Sequence, residues 1–387
     1  MSTAYSQAAH AVFRPQQADP KLYSVCIVAE IGTGHGGDIE QARELIDAAK
    51  EAGADCAKFQ MVYADEIVHP RTGPVELPGG SVSLYDRFRA LEQEESFYGE
   101  IKEYCEQQGL LFLCTAFGEQ SASALTRLGV QAYKVASPEL NHLPLLRQLR
   151  EQAKPIALSS GVSSLGDIER ALAITGRDLS QLLHCVTSYP APEEEYNLRV
   201  LEGLRRIFGV SVGVSDHSED PELVPALAVS LGANMVEKHF TLSREGGGLD
   251  DPIALEPGAF RRMSATIRRV EEILRIGGAD GPPRIREEFR EAYGSERVDA
   301  VLGDGVKRLA PSEARYYGRT NRSIHARAEI PSGHTIRHED VALLRTEQNL
   351  TPGLPPEFLE EVIGTRVSRT IPAGEGVRLR DLACPGN

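Results

Sequence analysis

Two histidines, His217 and His239, end short β-rich runs, in the segments Ser215-Asp216-His217 and Glu237-Lys238-His239. If those runs form neighbouring strands, about 4.8 Å apart, the two imidazoles can share one divalent cation and leave positions for water or substrate. A single strand-end histidine is as readily structural; the adjacent pair is what points to a metal. Two neutral nitrogens with carboxylates nearby suit Mn2+ or a similar borderline ion. There is no HExxH and no cysteine ligand set, which argues against a zinc protease.

Lys58 and Lys134 interrupt otherwise apolar runs, and a buried lysine needs an anion. A salt bridge to Glu30 or Glu139 would satisfy either one structurally. In the functional reading, both lysines and the serines of neighbouring strands hold a phosphate or carboxylate. A metal beside a two-lysine site implies a phosphorylated or acidic substrate, and spacing alone goes no further.

These residues need a scaffold, and the sequence supplies a repeated one. Eight runs rich in apolar and β-branched residues alternate with amphipathic helical periods: Tyr23–Glu30, Ala54–Gln60, Leu110–Thr115, Ala132–Ser137, Pro155–Ser160, Leu182–Thr187, Val210–Ser215 and Ala233–His239. Runs of this kind are strands buried on both faces, joined in parallel by right-handed crossovers. Eight units over about 250 residues predict a (β/α)8 TIM barrel. A doubly wound sheet is the alternative, but Gly32-Thr-Gly-His-Gly-Gly37 has the wrong spacing for its glycine-rich turn. Barrel chemistry gathers at the C-terminal ends of the strands, and the polar interruptions fall there. They are Glu30, then Lys58 and Gln60, Thr115, Lys134 with Ser137 and Glu139, Ser159 and Ser160, Thr187 and Tyr189, Ser215 to His217, and Glu237 to His239.

Composition narrows the partners. The 387 residues carry 42 Lys and Arg against 56 Asp and Glu, a formal charge of −14, which disfavours nucleic acid and anionic membranes. No apolar stretch is long enough to span a bilayer, and no secretory signal is read at the N-terminus. The six cysteines are scattered without a CxxC pair, so a reduced cytoplasm is expected. Residues 1–20 read as a flexible arm and 21–280 as the barrel, closed by the amphipathic stretch Glu256–Ile276. Residues 281–318 read as a linker, and 319–387 as a small β-rich domain with two similar turns, Ile330-Pro-Ser-Gly333 and Ile371-Pro-Ala-Gly374.

The segments AEIGTGHGGD, ADCAKFQ, YKVASPE, LSSGVSSLGDI, LHCVTSYPAPEEEYNL, GVSDHSEDP and GANMVEKHFTL resemble the signatures of the sialic acid synthase family. From TNRSIHARAEIPSGHTI onward, the C-terminal part resembles the antifreeze-like (SAF) domain that follows the barrel in that family. The resemblance covers about residues 22–384. It implies condensation of phosphoenolpyruvate with an open-chain N-acetylated amino sugar, N-acetylmannosamine or a diacetamido-trideoxyhexose, to a sialic, legionaminic or pseudaminic type of nonulosonic acid plus phosphate. It implies Mn2+ or Mg2+ on His217 and His239, and phosphoenolpyruvate at Lys58, Lys134, Ser137 and Ser159. Glu30, Glu139, Asp250 and Tyr189 match residues around the sugar, with Gln60, Thr187, Ser215 and Glu237 completing the mouth. Glu139 is expected to handle protons, alongside Glu30 and Lys134. A domain-swapped homodimer is implied, in which an arginine of the small domain, best matched by Arg322, touches the sugar. Gly34-His-Gly-Gly37, Thr115-Ala-Phe-Gly118 and Thr187 depart from the family pattern around the sugar, so the reaction class is more legible than the sugar. Alternatives of the same pattern are a synthase for another surface-polysaccharide sugar, a sugar-phosphate condensing enzyme, a metal-dependent aldolase or hydrolase, and a catalytically silent sugar-binding paralogue.

Overall fold

The computed structural model describes residues 25–77 and 80–383; the N-terminal arm read over 1–20 lies outside them. Eight parallel strands close into a barrel: β1 (Cys26–Gly32), β2 (Cys56–Met61), β3 (Leu111–Ala116), β4 (Tyr133–Val135), β5 (Ile156–Ser159), β6 (Ser180–Cys185), β7 (Ser211–Asp216) and β8 (Met235–His239). Each strand pairs with its neighbours in chain order, and β1 closes the ring against β8. This is the expected TIM-like barrel. Helices cover its outside, and the first shows why. Asp38 caps Ile39–Glu51 by accepting from Glu40 N at 2.8 Å, and Ala42, Leu45, Ile46 and Ala49 bury the face turned to the strands.

Period-two alternation sends one set of strand residues outward to the helices and the other inward. Ile27, Ala29, Ala57 and Phe59 join the outer core. Cys26, Val28, Cys56, Leu111, Leu113, Ala132, Ala157, Leu183 and Met235 form the inner one. Gly213 belongs to the inner set because a Cβ there would stand 2.6 Å from Leu183 Cδ2 and from Met235 O. The long helix Pro257–Gly277 covers the closing side of the barrel.

The stretch read as a linker has structure of its own. Helices Gly281–Tyr293 and Ser295–Leu302 place Ile285, Phe289, Val298, Val301 and Leu302 in the barrel's outer core. The chain then crosses to a small β-rich domain. There β9 (Arg322–Ala326) pairs antiparallel with β10 (Val341–Arg345) around a separate core that includes Ile324, Ile336, Leu343 and Val377. Its two similar turns pair with each other through Ile330 and Ile371. The domain docks on the loop after β2, where His69 Nε2 meets Arg327 O at 3.2 Å and Arg71 Nη1 donates to Ala373 O at 3.0 Å. Gly374, at φ +83°, packs so closely on His69 that a Cβ would come within 2.6 Å of its Nδ1.

Among the described residues no helix is long and apolar enough to cross a membrane. The described cysteines, Cys26, Cys56, Cys105, Cys114 and Cys185, are free and buried; Cys384 lies outside the described residues.

Candidate functional site

The inward rows of the barrel change character part-way up. Above the apolar set, the same alternation brings in Glu30, Lys58 and Gln60, Thr115, Lys134, Ser159, Cys185, Ser215, Glu237 and His239, and these line a cavity of about 800 Å³ at the C-terminal mouth. Register aligns them: Glu30 stands beside His239 on one side and Lys58 on the other, and Thr115 beside both Gln60 and Lys134.

The floor is a charged network. Lys58 Nζ lies 2.8 Å from Glu30 Oε2 and 3.6 Å from Glu237 Oε1, and donates to Thr115 Oγ1 at 3.2 Å. Lys134 Nζ donates to Ser159 Oγ at 2.7 Å and stands 3.8 Å from Glu237 Oε1. Gln60 Nε2 donates to Glu30 Oε1 at 2.6 Å, and Ser215 Oγ to Glu237 Oε1 at 2.9 Å. Burial lowers the pKa of Lys134, with Glu237 opposing the drop. For Lys58, burial acts downward but Glu237 and Glu30 prevail and raise it. Burial works to raise Glu237, yet Lys134 and Lys58 hold it well below the usual carboxylate range. Glu237 Oε2 is buried without a hydrogen-bond partner among the described residues. Lys134 therefore has hydroxyl and carbonyl partners close by and, among the described residues, no carboxylate within 3.5 Å, the arrangement that favours an incoming anion.

The imidazoles of His217 and His239 lie beside this network, ring centres 5.4 Å apart. Tyr189 stacks on His217 at 4.3 Å. His217 Nδ1 is 2.8 Å from Val186 O, a partner for the ring N–H that leaves Nε2 with its lone pair. Asp250 Oδ2 stands 3.7 Å from His239 Nδ1. Burial pushes both imidazoles below their ordinary value, toward the neutral form that binds metals. Among the described residues no group of three or more His, Cys, Asp or Glu is placed to hold an ion.

One corner of the mouth depends on glycine. Gly161 N donates to Ser137 Oγ at 3.0 Å, and a Cβ on Gly161 would come within 2.1 Å of Thr187 Oγ1, a buried hydroxyl without a partner among the described residues. The roof comes from the connector, including Ser312, Arg315 and Tyr316, and from the small domain through Arg345, Glu347 and Gln348.

All the expected site residues line this cavity except two. Arg322, expected to touch the sugar, has a fully buried side chain. It donates to Glu139 Oε1 from Nε at 3.1 Å and Nη2 at 2.8 Å, to Phe117 O at 2.7 Å and to Ile67 O at 3.1 Å. Its donors thus tie the small domain to the barrel and have none left for substrate. Glu139, expected to handle protons, is also fully buried and lies behind the arginines, outside the cavity wall. Of the two register partners Arg322 and Arg345, it is Arg345 that lines the cavity, together with Arg315 of the connector. Sequence reasoning missed Arg345, Glu347 and Gly161; Thr115 was legible as a strand-end residue.

Residues 45–278 match the NeuB family and residues 321–383 the SAF domain. The chain is 35% identical to the spore coat polysaccharide biosynthesis protein SpsE of Bacillus subtilis, over 92% of this chain and 93% of that one. The crystal structure of that protein superposes with a TM-score of 0.76 at 33% identity, covering 93% of this chain and 95% of that one. The N,N'-diacetyllegionaminic acid synthase of Legionella pneumophila is 32% identical over 90% and 92% of the two chains. The human N-acetylneuraminate-9-phosphate synthase is 29% identical over 89% of each. Matched across its barrel and along most of its length, the chain belongs to the NeuB family.

Proposed function

We propose that this chain is a nonulosonic acid synthase, joining phosphoenolpyruvate to the aldehyde carbon of an open-chain N-acetylated amino sugar with release of phosphate. The observation that carries this reading is the meeting, in one cavity, of two buried lysines and a pair of imidazoles 5.4 Å apart. The names of the Legionella and human relatives point to the same reaction class with different sugars.

Lys58 and Lys134, with Ser137, Ser159 and Thr115, hold the phosphate and carboxylate of the donor and stabilise their charge throughout. The donor's methylene carbon bonds to the aldehyde carbon, and positive charge develops at the enol-ether carbon. Water adds there, and the tetrahedral intermediate expels phosphate by C–O cleavage, so one water is consumed per phosphate released. Glu237 Oε2, the buried carboxylate oxygen without a partner, accepts a hydrogen bond from that water. Glu30, Gln60, Tyr189, Thr187 and Asp250 line the sugar's share of the cavity. Arg345 takes the place expected of Arg322, and Glu139 positions it.

The donor set fits a divalent cation, Mn2+ or Mg2+: two buried, neutral imidazoles, one with its Nδ1 hydrogen engaged by a carbonyl, beside carboxylates. Bound to His217 and His239, such an ion supplies Lewis-acid polarisation of the aldehyde. A homodimer that exchanges the small domains would make the Arg322–Glu139 contact between copies, and light scattering of the purified protein tests it. Phosphate release tests the reaction. It is expected only with phosphoenolpyruvate, an N-acetylated hexose and the metal together, and to stop with EDTA. Release from phosphoenolpyruvate alone, or undiminished release in EDTA, overturns the proposal.

A further inference from the structure

The connector carries a buried acid that the proposed chemistry leaves unused. Glu313, in the short helical turn Pro311–Ala314, is 1% exposed and does not line the cavity, although its neighbours Pro311 and Ser312 do. Its carboxylate accepts from three main-chain N–H groups. Oε2 accepts from Thr187 N at 2.7 Å and from Val162 N at 2.9 Å, and Oε1 from Ala310 N at 3.2 Å. Thr187 and Val162 belong to the loops that follow β6 and β5, so this acid grips two loops of the barrel mouth from behind.

Val162 is the strained point of these loops. It sits at φ +41°, a left-handed conformation that is unfavourable for a β-branched residue, and it is fully buried. Both of its main-chain polar groups are held from the connector, N by Glu313 and O by Asn321 Nδ2 at 3.0 Å. Asn321 is oriented in turn by Gly318 N, which donates to its Oδ1 at 2.8 Å. A strained conformation persists only where its surroundings impose it. Here the imposing groups lie 151 and 159 residues further along the chain.

The strained residue sits next to a donor-site contact. Gly161 N, immediately before Val162, donates to Ser137 Oγ at 3.0 Å, so that oxygen keeps its own hydrogen to donate, beside the weakly accepting Cys185 thiol. A Cβ on Gly161 would stand 2.9 Å from Ser137 Oγ and 2.1 Å from Thr187 Oγ1, so the two hydroxyls converge on this one glycine. Ser137 lines the cavity with Lys134 and Ser159, on the donor's side. We infer that Glu313 is a positioning residue for the anionic donor: with Asn321 it holds Val162 left-handed, and through Gly161 it aims the Ser137 hydroxyl at the donor's oxygens. This rests on the proposed function and deepens it, in making the connector part of the donor site.

The test titrates phosphoenolpyruvate by calorimetry into the full chain and into its Glu313→Gln and Asn321→Ala variants. Removing a negative charge would, by electrostatics alone, tighten the binding of an anion. A positioning role predicts the opposite sign. In Glu313→Gln the Kd for phosphoenolpyruvate is expected to rise at least tenfold, with KM rising in step and kcat changing less than threefold. Asn321→Ala, which leaves every charge in place, is expected to raise it at least threefold and to keep the Kd for Mn2+ within twofold of wild type. Unchanged or tighter donor binding in Glu313→Gln overturns the inference. So does a loss in Asn321→Ala that falls equally on Mn2+, the mark of a general loosening; should Glu313→Gln not fold, Asn321→Ala decides alone. Failure of the synthase reading shows separately, as no phosphate release with any N-acetylated hexose. The donor Kd values then still decide the role of Glu313, and no binding of phosphoenolpyruvate by the wild type overturns it.

Discussion

Glu139 Oε1 accepts from Nε of Arg345 at 3.0 Å and from its Nη2 at 2.8 Å, while the same oxygen also accepts from Arg322. One carboxylate oxygen thus fixes both arginines, and with them the angle at which Arg345 enters the cavity. Glu139→Gln leaves two guanidinium groups without their counter-ion, a loss of about 3 kcal/mol in unfolding free energy. The KM for the sugar is expected to rise about tenfold, with a smaller change in kcat. Because Glu139 acts through Arg345, the double variant with Arg345→Lys should lose much less than the two single losses combined. Steady-state kinetics on the four proteins checks this, and additive losses would assign Glu139 a separate role.

The two floor lysines should fail in different ways. Lys58→Met strips the close partner from Glu30 and leaves buried carboxylates uncompensated, which costs about 3–5 kcal/mol. Lys134 has no carboxylate that close, so Lys134→Met should cost only about 1–2 kcal/mol. Both should raise the KM for phosphoenolpyruvate at least tenfold. Denaturant unfolding alongside donor titration separates the two effects; equal stability losses would mean that the charge pairing described for the floor is wrong.

His217→Ala and His239→Ala should each remove metal-dependent phosphate release, about 1,000-fold or more if the ion polarises the aldehyde. Calorimetric titration with Mn2+ gives a second readout, independent of turnover. Near-normal activity in either variant would sink the metal assignment.

The floor was legible in the sequence because strands alternate with period two. Apolar Cys26 and Val28 followed by Glu30, or Cys56 followed by Lys58 and Gln60, show in one dimension which face turns polar at the mouth. The roof was not. Arg322 and Arg345 are register partners at the ends of two antiparallel strands, so both leave the same face of the sheet and the strand pattern does not tell which one lines the cavity. Glu139 read as catalytic for a similar reason: its place just past a strand end predicts the mouth, but the short helical turn Ser137–Glu139 carries it behind the wall. The buried apolar faces of Gly281–Tyr293 and Ser295–Leu302 were obscured by a Gly- and Pro-rich entry that reads as connector.

Acid should destabilise the fold through histidines away from the floor. Burial holds His142 and His184 down to about 3, and His35 and His325 to about 4, against 6.5 for an exposed imidazole. These groups are neutral in the folded chain, so below pH 6.5 the unfolded chain takes up protons that the folded chain does not. Stability is therefore full above about pH 6.5 and falls as pH drops toward 4, by about 2 kcal/mol per imidazole at pH 5. Thermal unfolding at pH 7 and pH 5 checks it, and an unchanged Tm would contradict the buried neutral assignment.

Lys238 and Asp216 show how the histidines are held. Their Nζ and Oδ2 are 2.6 Å apart, both side chains are almost fully buried, and each residue immediately precedes one of the two histidines. Alternation turns them away from the cavity that His217 and His239 line. Lys238 Nζ also donates to Ser218 Oγ at 3.2 Å and to Asp220 O at 3.3 Å, which pins the chain just after His217 to the end of β8. Asp216→Asn keeps the shape but leaves a buried ammonium without its carboxylate, at a cost of about 3–5 kcal/mol. If the ion pair positions the imidazoles, Mn2+ affinity should fall about 10- to 100-fold in Asp216→Asn, the range expected when groups supporting metal ligands are removed. The KM for phosphoenolpyruvate should change much less, because Lys58 and Lys134 lie on other strands. A large stability loss with unchanged Mn2+ affinity would make this pair a structural brace and nothing more.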